Sequence, residues 1–148
     1  MQKLHQSWLA IVILVLFSNL TFAIDNPDAP DFIAEFEVRE KPLIAAIEKP
    51  TNTTGDYAVF YASYLKFLDK ELNTVYKTLR TKLPADKQKQ LKASQVSWIK
   101  YRDLEFMFID STWNNKDFGT SSGISRGQYK ASVVRDRVIQ LMHYAKTF

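Results

Sequence analysis

Apolar residues along most of this chain recur three and four positions apart, the spacing that places them on one face of an α-helix. From Asp56 to Leu83 they are Tyr57, Tyr61, Tyr64, Leu65, Leu68, Leu72, Val75, Tyr76, Leu79 and Leu83, which predicts one long amphipathic helix. Pro84 ends that helix and can open the next as a first-turn residue, with Asp86 nearby. The second long helix runs to about Ile109, with Leu91, Gln95, Trp98, Arg102 and Glu105 on one stripe and Phe106, Phe108 and Ile109 thickening its apolar side. A Pro-Ala link between the two predicts an antiparallel hairpin. A last helix, roughly Arg126 to Ala145, carries Tyr129, Val133, Val134, Val138, Leu141 and Tyr144. No stretch alternates with the two-residue period of a strand, and no repeat or low-complexity tract interrupts the pattern. The expected fold is therefore all-α: a small helical bundle built on a long antiparallel helix hairpin plus a C-terminal helix.

The beginning of the chain follows other rules. A basic start at Lys3, a short apolar run from Trp8 to Leu20 and the small residue Ala23 form the pattern of a secretory signal peptide cleaved after Ala23. The run is short for a membrane span of roughly 20 apolar residues and is interrupted by Ser18 and Asn19, so a cleaved signal is favoured over the alternative of an uncleaved anchor. Residues 24–53 read as an N-terminal extension with short helices, and residues 54–148 as the helical domain proper. Within the extension, Asp31 is placed to cap a helix carrying Phe32, Ile33 and Phe36, which Pro42 would stop or kink. Leu43 to Ile47 would be a second short apolar turn, closed by Pro50. Asn52-Thr53-Thr54 matches a glycosylation acceptor, but the same threonines are good helix caps, and the cap is the favoured reading.

Composition narrows the chemistry. Removing residues 1–23 takes one lysine and no acid from the 20 basic and 16 acidic residues, so the balance stays mildly basic. The lysines of the long helices are interleaved with acids and glutamines, the mark of a solvated face, and no concentrated basic stripe points to nucleic acid. The chain has no cysteine, which rules out thiolate chemistry and leaves packing alone to hold an exported domain. Only His143 follows the leader, too little for a histidine metal cluster or a Ser-His-Asp triad. Asp69 with Glu71, and Asp103 with Glu105, are two apart on helices and point in different directions, so neither makes a dyad by itself. No catalytic residue, metal ligand or cofactor is expected.

Two groups of residues remain as candidates. Gln95, Trp98 and Arg102 share one helix face, and Asp69 and Asn73 are four apart on the preceding helix. With the hairpin closed, Arg102 could reach Asp69 or Asn73 through charge-assisted hydrogen bonds while Trp98 packs beside it. That arrangement is either a binding site or, as favoured, a polar clasp that fixes helix register. The second group is Trp113 and Phe118, in the Asn-, Gly- and Ser-rich stretch from Ser111 to Ser125, the longest irregular segment. Its rings are either partner anchors or a lid folded over the end of the bundle.

The run Leu68-Asp69-Lys70-Glu71-Leu72-Asn73-Thr74-Val75-Tyr76, a leucine-proline turn, and then Gln95, Trp98, Tyr101, Arg102 and Asp103 resemble the LprI-type lysozyme-inhibitor domain, an exported bacterial helical family. The resemblance covers roughly residues 54–145, with Arg137 and Leu141 similar to the family's last-helix signature and Gly119-Thr120 to its glycine-containing loop. It implies a helical bundle of the cell envelope that the family braces with disulfides, here in a cysteine-free variant. Tyr61, Phe106 and Tyr129 stand nearest to the family's cysteine positions. It further implies a periplasmic or secreted binding protein whose partner is a lysozyme-like glycan hydrolase, with Asp69, Asn73, Gln95, Trp98 and Arg102 as scaffold and Trp113 and Phe118 on the partner-binding loop. The alternatives are an envelope accessory module that binds peptidoglycan or another envelope protein, and an enzyme with an acidic cluster assembled across helices. Stable membrane insertion after leader cleavage is not expected.

Overall fold

The computed structural model describes residues 30–148. The expected leader peptide of residues 1–23 and its cleavage after Ala23 lie outside the described residues. Five helices follow one another: α1 (Phe32–Ile47), α2 (Thr54–Lys82), α3 (Ala85–Thr112), α4 (Asn115–Phe118) and α5 (Ser122–Lys146). No strand occurs among the described residues, and no helix among them is long and apolar enough to cross a membrane. The all-α bundle expected from the apolar spacing is the observed fold.

Local chemistry sets the helix ends. The Asp31 carboxylate accepts the Ala34 N–H at 3.0 Å and starts α1. Pro42 neither stops nor breaks this helix, which runs unbroken for 16 residues instead of forming the two short pieces expected. The Val38 carbonyl, which Pro42 cannot pair, belongs to a residue that is 74% exposed, so water can take the place of the missing donor. Asn52 Nδ2 closes the other end by donating to the carbonyls of Ala46 and Ile47, at 2.8 and 2.9 Å. Thr53 then opens α2 with a reciprocal cap: its hydroxyl accepts the Asp56 N–H at 3.2 Å, and the Asp56 carboxylate accepts the Thr53 N–H at 2.8 Å. The favoured cap reading of Asn52-Thr53-Thr54 matches this geometry.

The tightest pairing in the bundle joins α2 to α5. The two run parallel: Gly127 meets Tyr61 near their N-terminal ends, and Lys82 Nζ donates to the Phe148 carbonyl at 3.1 Å near their C-terminal ends. Their seam consists of Tyr64, Leu68, Leu72, Val75 and Leu79 against Ala131, Val134, Val138, Leu141 and Ala145, all buried. The sequence reading placed Tyr129 and Tyr144 on the inner face of α5, but they are 41% and 45% exposed. The small residues Gly127 and Ala131 open the α5 side of the seam, where the rings of α2 lie directly on the α5 backbone. A Cβ on Gly127 would sit 2.5 Å from Tyr61 Cγ, inside any allowed contact.

α1 lies against both members of that pair. Phe36 is fully buried and stacks on Phe67 at 5.7 Å. Two carboxylates go inward with arginine partners. Glu40 accepts both Nε and Nη2 of Arg135, at 2.8 and 2.9 Å, and also the Tyr64 hydroxyl. Glu71 accepts Nε and Nη2 of Arg39, at 3.0 and 2.9 Å. Burial, with the Glu40 carboxylate beside it, pushes the Tyr64 hydroxyl well above the ordinary phenol range. The bond to Glu40 likewise raises Arg135 above the ordinary guanidinium value, against the opposing effect of burial.

α3 returns along α2 after the Pro84 turn, as the hairpin requires, but it stands off from α2 and packs mainly on α5. It is the least covered long helix: only Gln95 and Ile109 of its residues are buried.

Two measurements test this architecture. Gly127→Ala forces α5 away from Tyr61 and should cost about 1–3 kcal/mol in denaturant unfolding. Gly123→Ala, whose added methyl meets nothing nearer than 3.7 Å, should be neutral or stabilising, and equal losses for both would refute the close-contact account. The Thr53 bonds hold the Asp56 carboxyl below its ordinary value. A depressed folded-state value gives stability that is complete above the ordinary carboxylate range and lost as pH falls through the lower, folded value. Asp56→Asn should therefore flatten that acid limb in a melting-temperature profile against pH.

Candidate functional site

The inward stripe of α3 holds the candidate polar residues. Gln95 is buried, and Leu91, Trp98, Arg102 and Glu105 are half-buried, while most of their neighbours on the helix are exposed. That stripe separates two concavities. On one side Asp69, Asn73 and Tyr76 of α2 face Gln95, Ile99 and Arg102 of α3 across a groove of about 260 Å³. On the other, Trp98 and Tyr101 of α3 meet Asp136, Arg137 and Gln140 of α5 around a pocket of about 310 Å³. Four of the five scaffold residues therefore come together, and Trp98 turns to the opposite flank.

The clasp expected from Arg102 to Asp69 or Asn73 is not made. Asn73 Nδ2 donates within α2, to the Asp69 backbone carbonyl at 2.8 Å and the Asp69 carboxylate at 3.2 Å. Arg102 donates to its neighbour Asp103 from Nε at 3.0 Å and Nη2 at 2.6 Å. The reason is the spacing of the helices: with α3 drawn to α5, the groove intervenes, and each polar group settles on a partner of its own helix.

Arg137 takes over the clasp from α5. Its Nε donates to Gln95 Oε1 at 3.1 Å, its Nη2 to Ser94 Oγ at 3.2 Å and its Nη1 to Gln140 Oε1 at 2.6 Å. Its guanidinium also lies 5.9 Å from the centre of the Trp98 ring, with that of Arg102 5.6 Å from the same centre. Arg137 is only 7% exposed, and burial lowers its pKa, against a smaller opposing effect from Tyr144. The sequence contained a signal for this: a glutamine on an inward stripe has to find a hydrogen-bond partner, and the last helix holds arginines to supply one.

Trp113 and Phe118 part company. Trp113 is half-buried, lies edge-on to Phe108 at 6.0 Å and against Tyr129 at 4.6 Å, and its carbonyl accepts Arg126 Nη1. Phe118 ends the single-turn α4 and is 53% exposed. The segment expected to be irregular from Ser111 to Ser125 is shorter than that, because α3 continues to Thr112 and α5 already starts at Ser122. Asn114 caps α4 by accepting the N–H groups of Lys116 and Asp117, at 3.0 and 3.1 Å.

Acid pairs are dispersed: Glu71 is held by Arg39 while Asp69 faces the groove, and Asp103 is held by Arg102. Among the described residues no three His, Asp or Glu side chains are grouped to hold a metal ion. His143 is exposed in the last turn of α5, where a positive charge suits the helix end.

The geometry is that of a cysteine-free helical scaffold with a polar groove and a cationic aromatic pocket flanking one helix. The chain belongs to the family described as lysozyme inhibitor LprI, whose model matches residues 46–141, from the last turn of α1 into α5. No curated protein and no solved structure gives a significant match. The rings nearest to the family's cysteine positions each find a different neighbour: Tyr61 lies on Gly127, Phe106 lies near Arg102 and Lys130, and Tyr129 packs on Trp113. They add packing at three separate places instead of joining one another.

The two arginines should therefore differ in weight. Arg137→Ala leaves the buried Gln95 without its donor and should destabilise by about 1–3 kcal/mol in urea unfolding. Arg102→Ala loses a bond to an exposed neighbour and should cost no more than about 1 kcal/mol. The reverse order would restore Arg102 as the clasp.

Proposed function

We propose that this chain is an exported, non-catalytic binding protein that inhibits a lysozyme-like glycan hydrolase. Membership of the family described as lysozyme inhibitor is the observation that carries this reading. The surface near the end of α3 supports it. Leu104, Met107 and Phe108 are 66%, 68% and 55% exposed, and Phe118 follows on α4. Exposed rings and long apolar side chains gathered at one end of a domain are favoured anchors for a protein partner.

In this mechanism α4 and the turn after it enter the glycan cleft of the hydrolase, with Phe118 as the anchor. Trp113, fixed between Phe108 and Tyr129, braces the segment from behind, and Asp69, Asn73, Gln95, Trp98 and Arg102 belong to the scaffold that holds α3. Lysozymes are often cationic and this chain is mildly basic, so long-range charge attraction does not assist the encounter and the affinity has to come from apolar contact.

The purified protein should be titrated against lysozymes of different classes, with cell-wall hydrolysis and direct binding read together. Stoichiometric inhibition of one class is expected. Phe118→Ala should weaken it by about tenfold or more with little change in melting temperature, as removal of an exposed anchor does. Trp113→Ala should lower the melting temperature as well. Absence of both binding and inhibition across the panel would sink the inhibitor reading.

A further inference from the structure

The pocket between α3 and α5 contains an unusual charge. Arg137 is 7% exposed, yet its three hydrogen-bond acceptors, Gln95, Ser94 and Gln140, are all neutral. Four other arginines lie against a carboxylate, Arg39 with Glu71, Arg102 with Asp103, Arg126 with the Asp110 it shares with Lys130, and Arg135 with Glu40, and Arg80, which donates to the neutral Gln88, is exposed to water. Among the described residues, Arg137 takes part in no ion pair. A guanidinium has five N–H donors. The three bonds of Arg137 leave one N–H on each Nη nitrogen. A buried cation without a counter-ion is costly, and proteins that keep one commonly do so at a binding site.

The surroundings specify what would complete it. The pocket, about 310 Å³, is walled by the Trp98 and Tyr101 rings and edged by the hydroxyl of Ser132 and the carboxylate of Asp136. Asp136 is one residue from Arg137 on the helix, which turns it away from the guanidinium, and it is exposed at the rim. Its charge disfavours a dianion such as a phosphate monoester, while it can accept hydroxyl protons. Flat rings beside such acceptors suit the apolar face of a sugar.

We propose that the α3–α5 pocket is a binding site for a singly charged carboxylate carried on a sugar, with Arg137 as the carboxylate-binding residue, Trp98 and Tyr101 as the ring walls and Asp136 as a hydroxyl acceptor. Bacterial cell-wall glycan presents that chemistry in its lactyl-substituted sugar wherever the stem peptide has been cut away, since the peptide otherwise holds the lactyl carboxyl as an uncharged amide. The choice of that source rests on the exported reading proposed above, whereas the site itself rests on the uncompensated charge. The pocket lies on the α5 flank of α3, lined by residues other than Phe118, so inhibition of a hydrolase and occupation of the pocket can succeed or fail separately.

N-Acetylmuramic acid and N-acetylglucosamine share a sugar ring and differ by the lactyl carboxylate, so they are the probes, with D-lactate as the third. In an NMR titration of the full protein, N-acetylmuramic acid should shift the Trp98 indole N–H and Arg137 Nε–H signals. N-acetylglucosamine should bind about tenfold or more weakly, the loss expected when a charge-assisted bond is removed. Val133→Glu places a carboxylate one helical turn from Arg137, supplies the counter-charge from within, and should abolish binding while the melting temperature holds or rises. Tyr101→Ala, at a residue already 52% exposed, should weaken the sugar acid and leave lactate unchanged. Lactate binding as tightly as the sugar acid would uphold the carboxylate site and reject the sugar. Equal binding of the two sugars, no shift at Arg137 with any probe, or full binding by Val133→Glu would overturn the proposal.

Discussion

The close approach of α5 to α2 is the constraint on which the other contacts depend. Gly127 and Ala131 let α5 come down on Tyr61 and Tyr64, and the seam continues through Val134, Val138, Leu141 and Ala145 at alternating spacings of four and three. That is the spacing of a parallel two-helix seam, in which each side chain enters a hole on the facing helix. Once this face of α5 is committed to α2, its remaining faces are fixed as well. Arg135 and Arg137, two apart, must leave on different sides. One receives α1 through Glu40, and the other receives α3 through Gln95 and Ser94. Arg126 and Lys130, on the α3 side, add contacts to Asp110 near the far end of that helix.

The two docked helices are attached by different physics. α1 brings its own buried carboxylate to meet a half-buried arginine, and it adds Phe36 to the core; the pair is satisfied on both sides and the ring supplies the apolar burial. α3 brings only neutral acceptors to Arg137 and buries little else, with Ile109 as its one buried apolar residue. A helix with few buried apolar contacts is the part of a bundle that opens most readily. The same low coverage leaves Tyr101, Leu104, Met107 and Phe108 in solvent, at 52%, 66%, 68% and 55% exposure. Coverage of that surface by a partner would bind the native state alone and so stabilise it.

How much of this was legible from residue order depends on which force decides each feature. The helices were, because their apolar period is local: α2 and α3 fall within a few residues of the expected limits, and the stripe Leu91, Gln95, Trp98, Arg102, Glu105 is the one α3 turns inward. The partner of that stripe was not. Bulky residues are the visible signal of a core, yet the α5 seam begins with Gly127 and Ala131, which leave no mark in a hydrophobic pattern but permit the closest contact. Tyr129 and Tyr144 attracted notice and lie outside. α3 also has apolar residues on more than one face, so Phe108, expected among the inward residues, is largely exposed while Ile109 beside it is buried. Pro42 misled in a different way, since the cost of a proline inside a helix depends on whether the freed carbonyl meets water, and that is decided by the fold.

For the candidate site the same distinction holds. That Asp69, Asn73, Gln95 and Arg102 share one groove follows from helix spacing and a two-residue turn, both local. Which of them are bonded to each other depends on how far apart the helices stand, and that distance is set by α5, more than forty positions away along the chain from Gln95. Drawing α3 toward α5 leaves Arg102 on a local aspartate and sets Arg137 between two helices with neutral partners alone. Arg137, visible in the sequence only as part of the last-helix signature, thereby becomes a buried charge whose hydrogen-bond acceptors are all neutral. A scaffold can tolerate that arrangement, because three hydrogen bonds and the Trp98 face offset part of the desolvation. It would be a poor choice for stability alone, since neutral or apolar residues of similar size could join the same helices without burying a charge. The charge is better understood as a property of the pocket that Arg137 lines than as a requirement of the contact it makes.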